Sequence, residues 1–194
     1  MKLRGVVFDL DGTLVSQELN FEAIRQEIGL GSGTPLLEAL DTMAGSELQR
    51  ARQILDRHEE AAAACAVLHA GAKECLEWLK AKGLKLGLLS RNSRRSVFTV
   101  LERCGLQLDK VVAREDAPFK PSPHGLWLIG NAWQVPPAEV LMVGDYLYDL
   151  QAGRSAGTRT ALITHGKEWP FVHLADLTFP SFQELPDLLN GWLE

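Results

Sequence analysis

The sequence has no apolar run long enough for a membrane span, no internal repeat and no low-complexity tract. These absences exclude a membrane-spanning, solenoid or disordered chain. Basic residues are also scarce relative to acidic ones: the net charge is −5, and no Lys/Arg cluster is dense enough for a nucleic-acid partner. The one basic group, Arg91-Asn92-Ser93-Arg94-Arg95, reads as a solvated helix face, with the steering of anions as the alternative. Cysteines number only 3, and Cys65, Cys75 and Cys104 lack the close paired spacing of a zinc site, which predicts reduced packing residues. None of the five histidines forms a close metal-ligand pair, so they read as structural or surface residues. The N-terminal apolar run is interrupted by Asp9 and Asp11 and has no cleavage-like segment, which predicts a cytoplasmic protein.

What is present is an ordinary globular composition, 46% hydrophobic and 23% charged over 194 residues, enough for one well-cored domain with an insertion. The stretch that organises the chain is Val6-Val7-Phe8-Asp9-Leu10-Asp11-Gly12-Thr13-Leu14. An apolar run delivers Asp9 at the end of a strand, Asp11 follows two residues later, and Gly12 lets the chain turn away. This arrangement suits a nucleophile and its acid–base partner. Two such carboxylates repel by about 4 kcal/mol at 4 Å for an effective dielectric of about 20, so they call for a cation or a shared proton.

Apolar runs alternate with helical segments along most of the chain. Leu3 to Leu10 predicts a strand buried on both faces of a parallel sheet. From Gln17 to Leu68 only helices are expected: one opening at Asn20, one at Thr34 with Pro35 in its first turn, and a long one from Ser46 with Gln49 completing a capping box. The βα rhythm then resumes. Helices are predicted over Ala72 to Lys82, from Asn92 or Ser93 to Gly105, over Pro123 to Trp133 and over Tyr146 to Ala156; strands over Leu84 to Leu89, Lys110 to Ala113, Val140 to Asp145 and Thr158 to Ile163. The expected fold is α/β, a doubly wound parallel sheet with an all-helical insertion, with residues 1–16 and 69–194 as the core and 17–68 as the insertion. In such a sheet the ligand crevice lies at the carboxyl ends of the strands, where Asp9, Asp11, Ser90, Lys120, Asp145 and Asp149 should converge.

These residues resemble the motif set of the haloacid dehalogenase superfamily, in its phosphatase branch with a small helical cap, of the phosphoglycolate phosphatase type. Asp9-Leu10-Asp11-Gly12-Thr13-Leu14 matches the first motif, Ser90 after Leu86-Gly87-Leu88-Leu89 the second, Lys120 in Phe119-Lys120-Pro121 the third, and Gly144-Asp145-Tyr146-Leu147-Tyr148-Asp149 the fourth. The likeness covers nearly the whole chain. It implies a Rossmann-like core and Mg²⁺-dependent hydrolysis of a small phosphorylated metabolite, a phosphoglycolate or a sugar phosphate, through an aspartyl-phosphate.

On this reading Asp9 is the nucleophile, Asp11 the acid and then the base, and Lys120 the charge that neutralises nucleophile and phosphoryl group. Ser90 and the backbone N–H of Arg91 would hold phosphoryl oxygens at a helix N-terminus. Asp145, a carboxylate oxygen of Asp9 and the backbone carbonyl of Asp11 would hold Mg²⁺, with Asp149 one shell out, bonding a metal water or pairing with Lys120. Asp145 and Asp149 read alternatively as acidic residues favoured at a helix N-terminus. Asn92 reads as a helix cap only. Arg25, Arg50, Arg52 and Arg57 are candidate anion contacts from the cap, with solvated helix charges as the simpler reading. The loop from His165 to Pro170 is a secondary candidate for substrate contact, and Trp78, Trp127, Trp133 and Trp192 are expected to anchor the core or an interface. The partners implied are a small phosphorylated substrate and no membrane or nucleic acid, in a monomer or homodimer. Two alternatives stay open: a phosphomutase that passes the phosphoryl group to a second sugar hydroxyl, and a binding domain that retains the fold. A dehalogenase has no alkoxide for Asp11 to protonate.

Overall fold

The computed structural model describes residues 2–16 and 19–193; the expected opening of the insertion at Gln17, and the ends of the core at Met1 and Glu194, lie outside them. The chain begins with β1 (Gly5–Phe8) and a two-residue β2 (Val15–Ser16), then α1 (Phe21–Ile28), α2 (Leu36–Leu40), α3 (Gly45–Ala63) and β3 (Val67–Leu68). After these come α4 (Ala72–Ala81), β4 (Lys85–Leu89), α5 (Arg94–Cys104), β5 (Lys110–Val112), α6 (His124–Trp133) and β6 (Val140–Gly144). The remainder is α7 (Leu147–Ala156), β7 (Arg159–Ile163), β8 (Leu177–Phe179) and α8 (Leu185–Leu189).

Six strands form one parallel sheet in the order β5-β4-β1-β6-β7-β8. The chain moves outward from β1 through β4 to β5, then crosses back to place β6 on the other side of β1. That reversal opens the crevice of a doubly wound sheet beside β1. Strand residues alternate between two buried faces, which is why β1 reads as a continuous apolar run. Val6, Phe8, Leu141 and Val143 pack with Ala72, Cys75 and Leu79 of α4 and with Val97 and Val100 of α5, whereas Val7 and Met142 pack with Leu126, Ile129 and Ala152. On that second face the indole of Trp133 lies over the missing side chains of two neighbouring strands. A Cβ at Gly5 would come within 2.6 Å of the ring and one at Gly87 within 2.9 Å. Trp133 is thus a core anchor, as expected.

The helical segment has its own apolar cluster of Ile24, Leu36, Leu37, Leu40, Ala51, Ile54 and Leu55, against which Phe119 of the core packs. Farther along α3, Ala63 belongs with Ala66 to the main cluster. The long helix therefore joins the two.

Several expected boundaries differ. The stretch from Gln17 to Leu68 is not purely helical: Val67 and Leu68 pair antiparallel with Ser16 and Val15, and this ribbon brings entry and exit together. Two residues carry too little periodicity to show it. Asn20 caps α1 as expected, accepting from the Ala23 N–H at 3.0 Å. Pro35, however, precedes α2 as its cap residue. Ser46 does not cap α3, which begins at Gly45 with Ala44 at its cap and no side-chain cap bond. Gly45 has a φ of 57°, so the turn into the helix comes two residues earlier than a cap at Ser46 would place it. The sixth strand, β8, and α8 were not anticipated, because each is too short for its periodicity to register.

Replacing Trp133 by alanine should destabilise the protein by roughly 3 kcal/mol. In urea unfolding this would appear as a lower midpoint at an unchanged slope.

Candidate active site

Asp9 leaves the end of β1, and its backbone N–H donates to the Val143 carbonyl at 2.9 Å, holding it beside the end of β6. The buried ammonium of Lys120 donates to Asp9 Oδ1 at 2.5 Å and to Asp149 Oδ1 at 2.7 Å. The other oxygen of Asp149 accepts from the Tyr146 N–H at 3.1 Å, closing the N-terminus of α7. Both readings of Asp149 thus describe part of its environment: it caps a helix and pairs with Lys120. Asp145 accepts from Thr13 Oγ1 at 3.3 Å. Two glycines let these groups approach. Gly12 has a φ of 77°, and a side chain there would run into the Asp145 carboxylate; one at Gly144 would run into that of Asp149.

Asp11 lies in the turn after β1, where Gly12 N–H donates to the Val15 carbonyl at 2.8 Å. Its Oδ2 accepts from Asn92 Nδ2 at 2.5 Å. Asn92 is therefore not the helix cap; Ser93 caps α5, and Asn92 orients Asp11 from the neighbouring loop. Ser90 is buried and accepts from the Asn92 N–H at 3.1 Å, which folds this loop back on itself.

The basic group at 91–95 is only half solvated. Arg94 and Arg95 are exposed, whereas Asn92 and Ser93 are buried and Arg91 is half-buried. The loop is held from α3: buried Glu59 accepts from the Ser93 N–H at 3.0 Å and from Arg114 at 2.5 Å, and Arg114 also reaches Asp56 at 2.9 Å. Glu59 and Arg114 escaped the sequence reading because each is one more charge, Glu59 inside α3 and Arg114 just after β5. Asn92 and Thr13 were nearer to hand, since both flank a motif residue.

The candidate cap arginines are engaged locally or point to solvent. Arg25 pairs with Glu22 at 3.0 Å and donates to the Thr34 carbonyl, Arg57 pairs with Glu27, and Arg50 and Arg52 are exposed. His165 bonds the Gly12 carbonyl at 2.7 Å and stacks on His69 with ring centroids 4.2 Å apart. It supports the first-motif turn from behind.

Burial pushes the carboxyls of Asp9 and Asp145 up to about 7. Asp149 adds to the rise in both cases, and Lys120 opposes it. Burial works against the charge of Lys120, but Asp149 and Asp9 together outweigh it and raise the lysine's pKa. One oxygen from each of Asp9, Asp145 and Asp149 falls within 4.8 Å of the others, so three carboxylates share one ammonium. That imbalance suits a hard divalent cation, which takes oxygen donors. Because Asp149 is committed to Lys120 and to the end of α7, Asp9 and Asp145 are the better placed donors.

A family profile described as haloacid dehalogenase-like hydrolase matches residues 3–157. The chain belongs to the haloacid dehalogenase-like hydrolases. Among similar sequences, a haloacid dehalogenase-like hydrolase domain-containing protein of Arabidopsis thaliana is 31% identical over 84% of this chain and 71% of its own length. An N-acetylmuramic acid 6-phosphate phosphatase of Pseudomonas aeruginosa is 29% identical over 98% of this chain and 96% of its own length. The crystal structure of a predicted phosphoglycolate phosphatase from Haemophilus somnus superposes with a TM-score of 0.79 at 21% identity, covering 98% of this chain and 99% of that one, a likeness of fold. Among the described residues, no helix of this hydrolase is long and apolar enough to cross a membrane.

The raised carboxyls predict how the hydrolase responds to pH. Asp9 and Asp145 bind protons more tightly folded than unfolded, so their contribution is complete below 3.8 and is lost as the pH rises through about 7. Lys120, raised from 10.5, holds its contribution constant over that window. The metal-free protein should therefore lose stability between these values. An added divalent cation should raise the melting temperature more at about pH 8 than at about pH 5, as thermal unfolding would measure.

Proposed function

We propose that this hydrolase, a phosphatase by its family and its relatives, is a Mg²⁺-dependent phosphomonoesterase that acts on a small phosphorylated metabolite in the cytoplasm as a monomer or homodimer. The observation that carries this reading is Lys120 bridging Asp9 and Asp149, with Asp145 alongside. A nucleophile needs its charge balanced without being covered on both oxygens, and Lys120 engages one oxygen of Asp9.

In the proposed reaction a carboxylate oxygen of Asp9 attacks phosphorus, and the ester P–O bond breaks. Asp11 gives its proton to the departing oxygen. A water then attacks the aspartyl-phosphate while Asp11 takes its proton, releasing inorganic phosphate and restoring Asp9. Asn92 keeps the Asp11 carboxyl turned in one direction through both steps. Ser90 and the Arg91 N–H bind phosphoryl oxygens at the start of α5, on the loop that Glu59 braces. Asp9 and Asp145, with the backbone carbonyl of Asp11, would hold the Mg²⁺, which supplies positive charge to the nucleophile and the phosphoryl oxygens. Lys120 adds a second positive charge that no change of metal removes.

Residues 17–68 act in this reading as a cap on the core formed by 1–16 and 69–194. Shielding the crevice would keep bulk water from the phosphoryl group, and contacts from the cap would choose the ester. A mutase would share the first step. It would differ in requiring a phosphorylated acceptor, for which no separate observation speaks.

Asp9→Asn should lower phosphate release from small esters by roughly ten-thousand-fold or more while leaving the circular dichroism spectrum unchanged. Release that persists in this variant would remove Asp9 as the nucleophile. Asp145→Ala should shift the Mg²⁺ concentration for half-maximal release upward by at least about tenfold, measured on the same esters.

A further inference from the structure

The loop between β4 and α5 spends most of its backbone donors on the protein itself. Ser90 N–H donates to the Val112 carbonyl at 3.0 Å, Asn92 N–H to Ser90 Oγ at 3.1 Å, and Ser93 N–H to Glu59 Oε2 at 3.0 Å. Among residues 90–93 the N–H of Arg91 is the one left for a phosphoryl oxygen. Such an N–H takes its direction from the peptide planes on either side of it. On one side the Ser90 N–H ties the chain to β5. On the other, the Asn92 carbonyl accepts from the Arg114 N–H at 3.0 Å and the Arg91 carbonyl, more weakly, from Arg114 Nη1 at 3.4 Å, before Ser93 ends on Glu59.

Glu59 and Arg114 therefore grip the loop together. The Glu59 carboxylate is buried, and each of its oxygens has a donor: Oε1 takes Arg114 Nη1 and Oε2 takes the Ser93 N–H. Its backbone carbonyl accepts from Ser96 Oγ of α5 at 3.3 Å as well. A buried carboxylate is costly unless it is paired in this way, and the same bonds that compensate it fix the loop. Glu59 belongs to the helical segment, yet it stands on α3 between Leu55, which packs with that segment's own apolar cluster, and Ala63, which packs with the core.

We infer that Glu59 is a positioning residue for phosphoryl transfer: with Arg114 it fixes the peptides that aim the Arg91 N–H at the phosphoryl group. This deepens the phosphatase reading and rests on it. Glu59 acts through the loop and touches neither substrate nor metal. Because the phosphoryl group is common to all esters, the helical segment contributes through Glu59 to every substrate alike, separately from any contact it makes with a leaving group.

The test measures kcat and KM for p-nitrophenyl phosphate, a hexose 6-phosphate and 2-phosphoglycolate, with the competitive inhibition constant of inorganic phosphate, in the wild type, Glu59→Gln and Glu59→Ala. KM and the inhibition constant do not depend on how much of a variant has folded, so lost stability alone moves neither. Glu59→Gln keeps the size of the side chain but turns one acceptor into a donor, which must then face either the Ser93 N–H or Arg114. The inhibition constant of inorganic phosphate and the KM of every ester cleaved should rise by about tenfold in Glu59→Gln, the rises agreeing among the esters within about threefold. Glu59→Ala should show at least as large a rise, and Glu59→Gln alone decides the matter if the alanine variant does not fold. An inhibition constant unmoved in Glu59→Gln, or rises that differ among the esters more widely than this, would overturn the inference while leaving the phosphatase reading intact. Failure of the wild type to release phosphate from any of the three would bring down that reading and the inference together.

Discussion

The ammonium of Lys120 lies between Asp9 and Asp149 at the carboxyl ends of the sheet, buried almost completely, and much of the surrounding structure follows from keeping it there. A buried charge of this kind is tolerated only when opposite charges and hydrogen bonds replace the water it has lost. Asp149 supplies one partner and is itself fixed by the first turn of α7. Asp9 supplies the other and is held at the end of β1 by the carbonyl of Val143. Closing the cluster leaves three carboxylates around one cation. The excess negative charge raises proton affinity in the same place where it would favour a divalent metal, so pH and metal act on one quantity.

A second set of charges joins the helical segment to the core. Arg114 gathers Asp56 and Glu59 from α3, Glu59 braces the N–H of Ser93, and Arg91 reaches Glu38 on α2. Exposed ion pairs contribute little, but the carboxylate of Glu59 is buried, and loss of Arg114 would strand it. The helical segment therefore bears, through α3, on the loop expected to bind phosphate. Movement of α1 and α2 would disturb the Arg91–Glu38 pair, because that contact crosses to a short helix seated on a separate apolar cluster.

Much of this was legible before any coordinates. The parallel α/β core, the ends of most helices and the convergence of Asp9, Asp145 and Lys120 follow from apolar runs, caps and spacing. What escaped shares one physical cause: contacts between residues far apart in sequence, made by elements too short to have a period. The β2–β3 ribbon has two residues on each side. Asn92 looks like any residue before a helix until Asp11 is found 81 positions away along the chain and 2.5 Å away in space. The basic group at 91–95 likewise divides by position, with Arg94 and Arg95 in solvent and Arg91 turned inward between Phe119 and Tyr148.

By itself, the order of residues determined that β1 is buried on both faces, where most helices start and stop, and which carboxylates leave the sheet at its carboxyl end, because periodicity, capping and turn chemistry act over a few neighbouring residues. Only the tertiary structure decided which oxygen of Asp9 faces Lys120, that Asn92 orients Asp11 instead of capping α5, and that Arg91 meets Glu38 of α2. Those outcomes depend on the directions of side chains brought together by the strand crossover and by α3, and no local pattern encodes a direction.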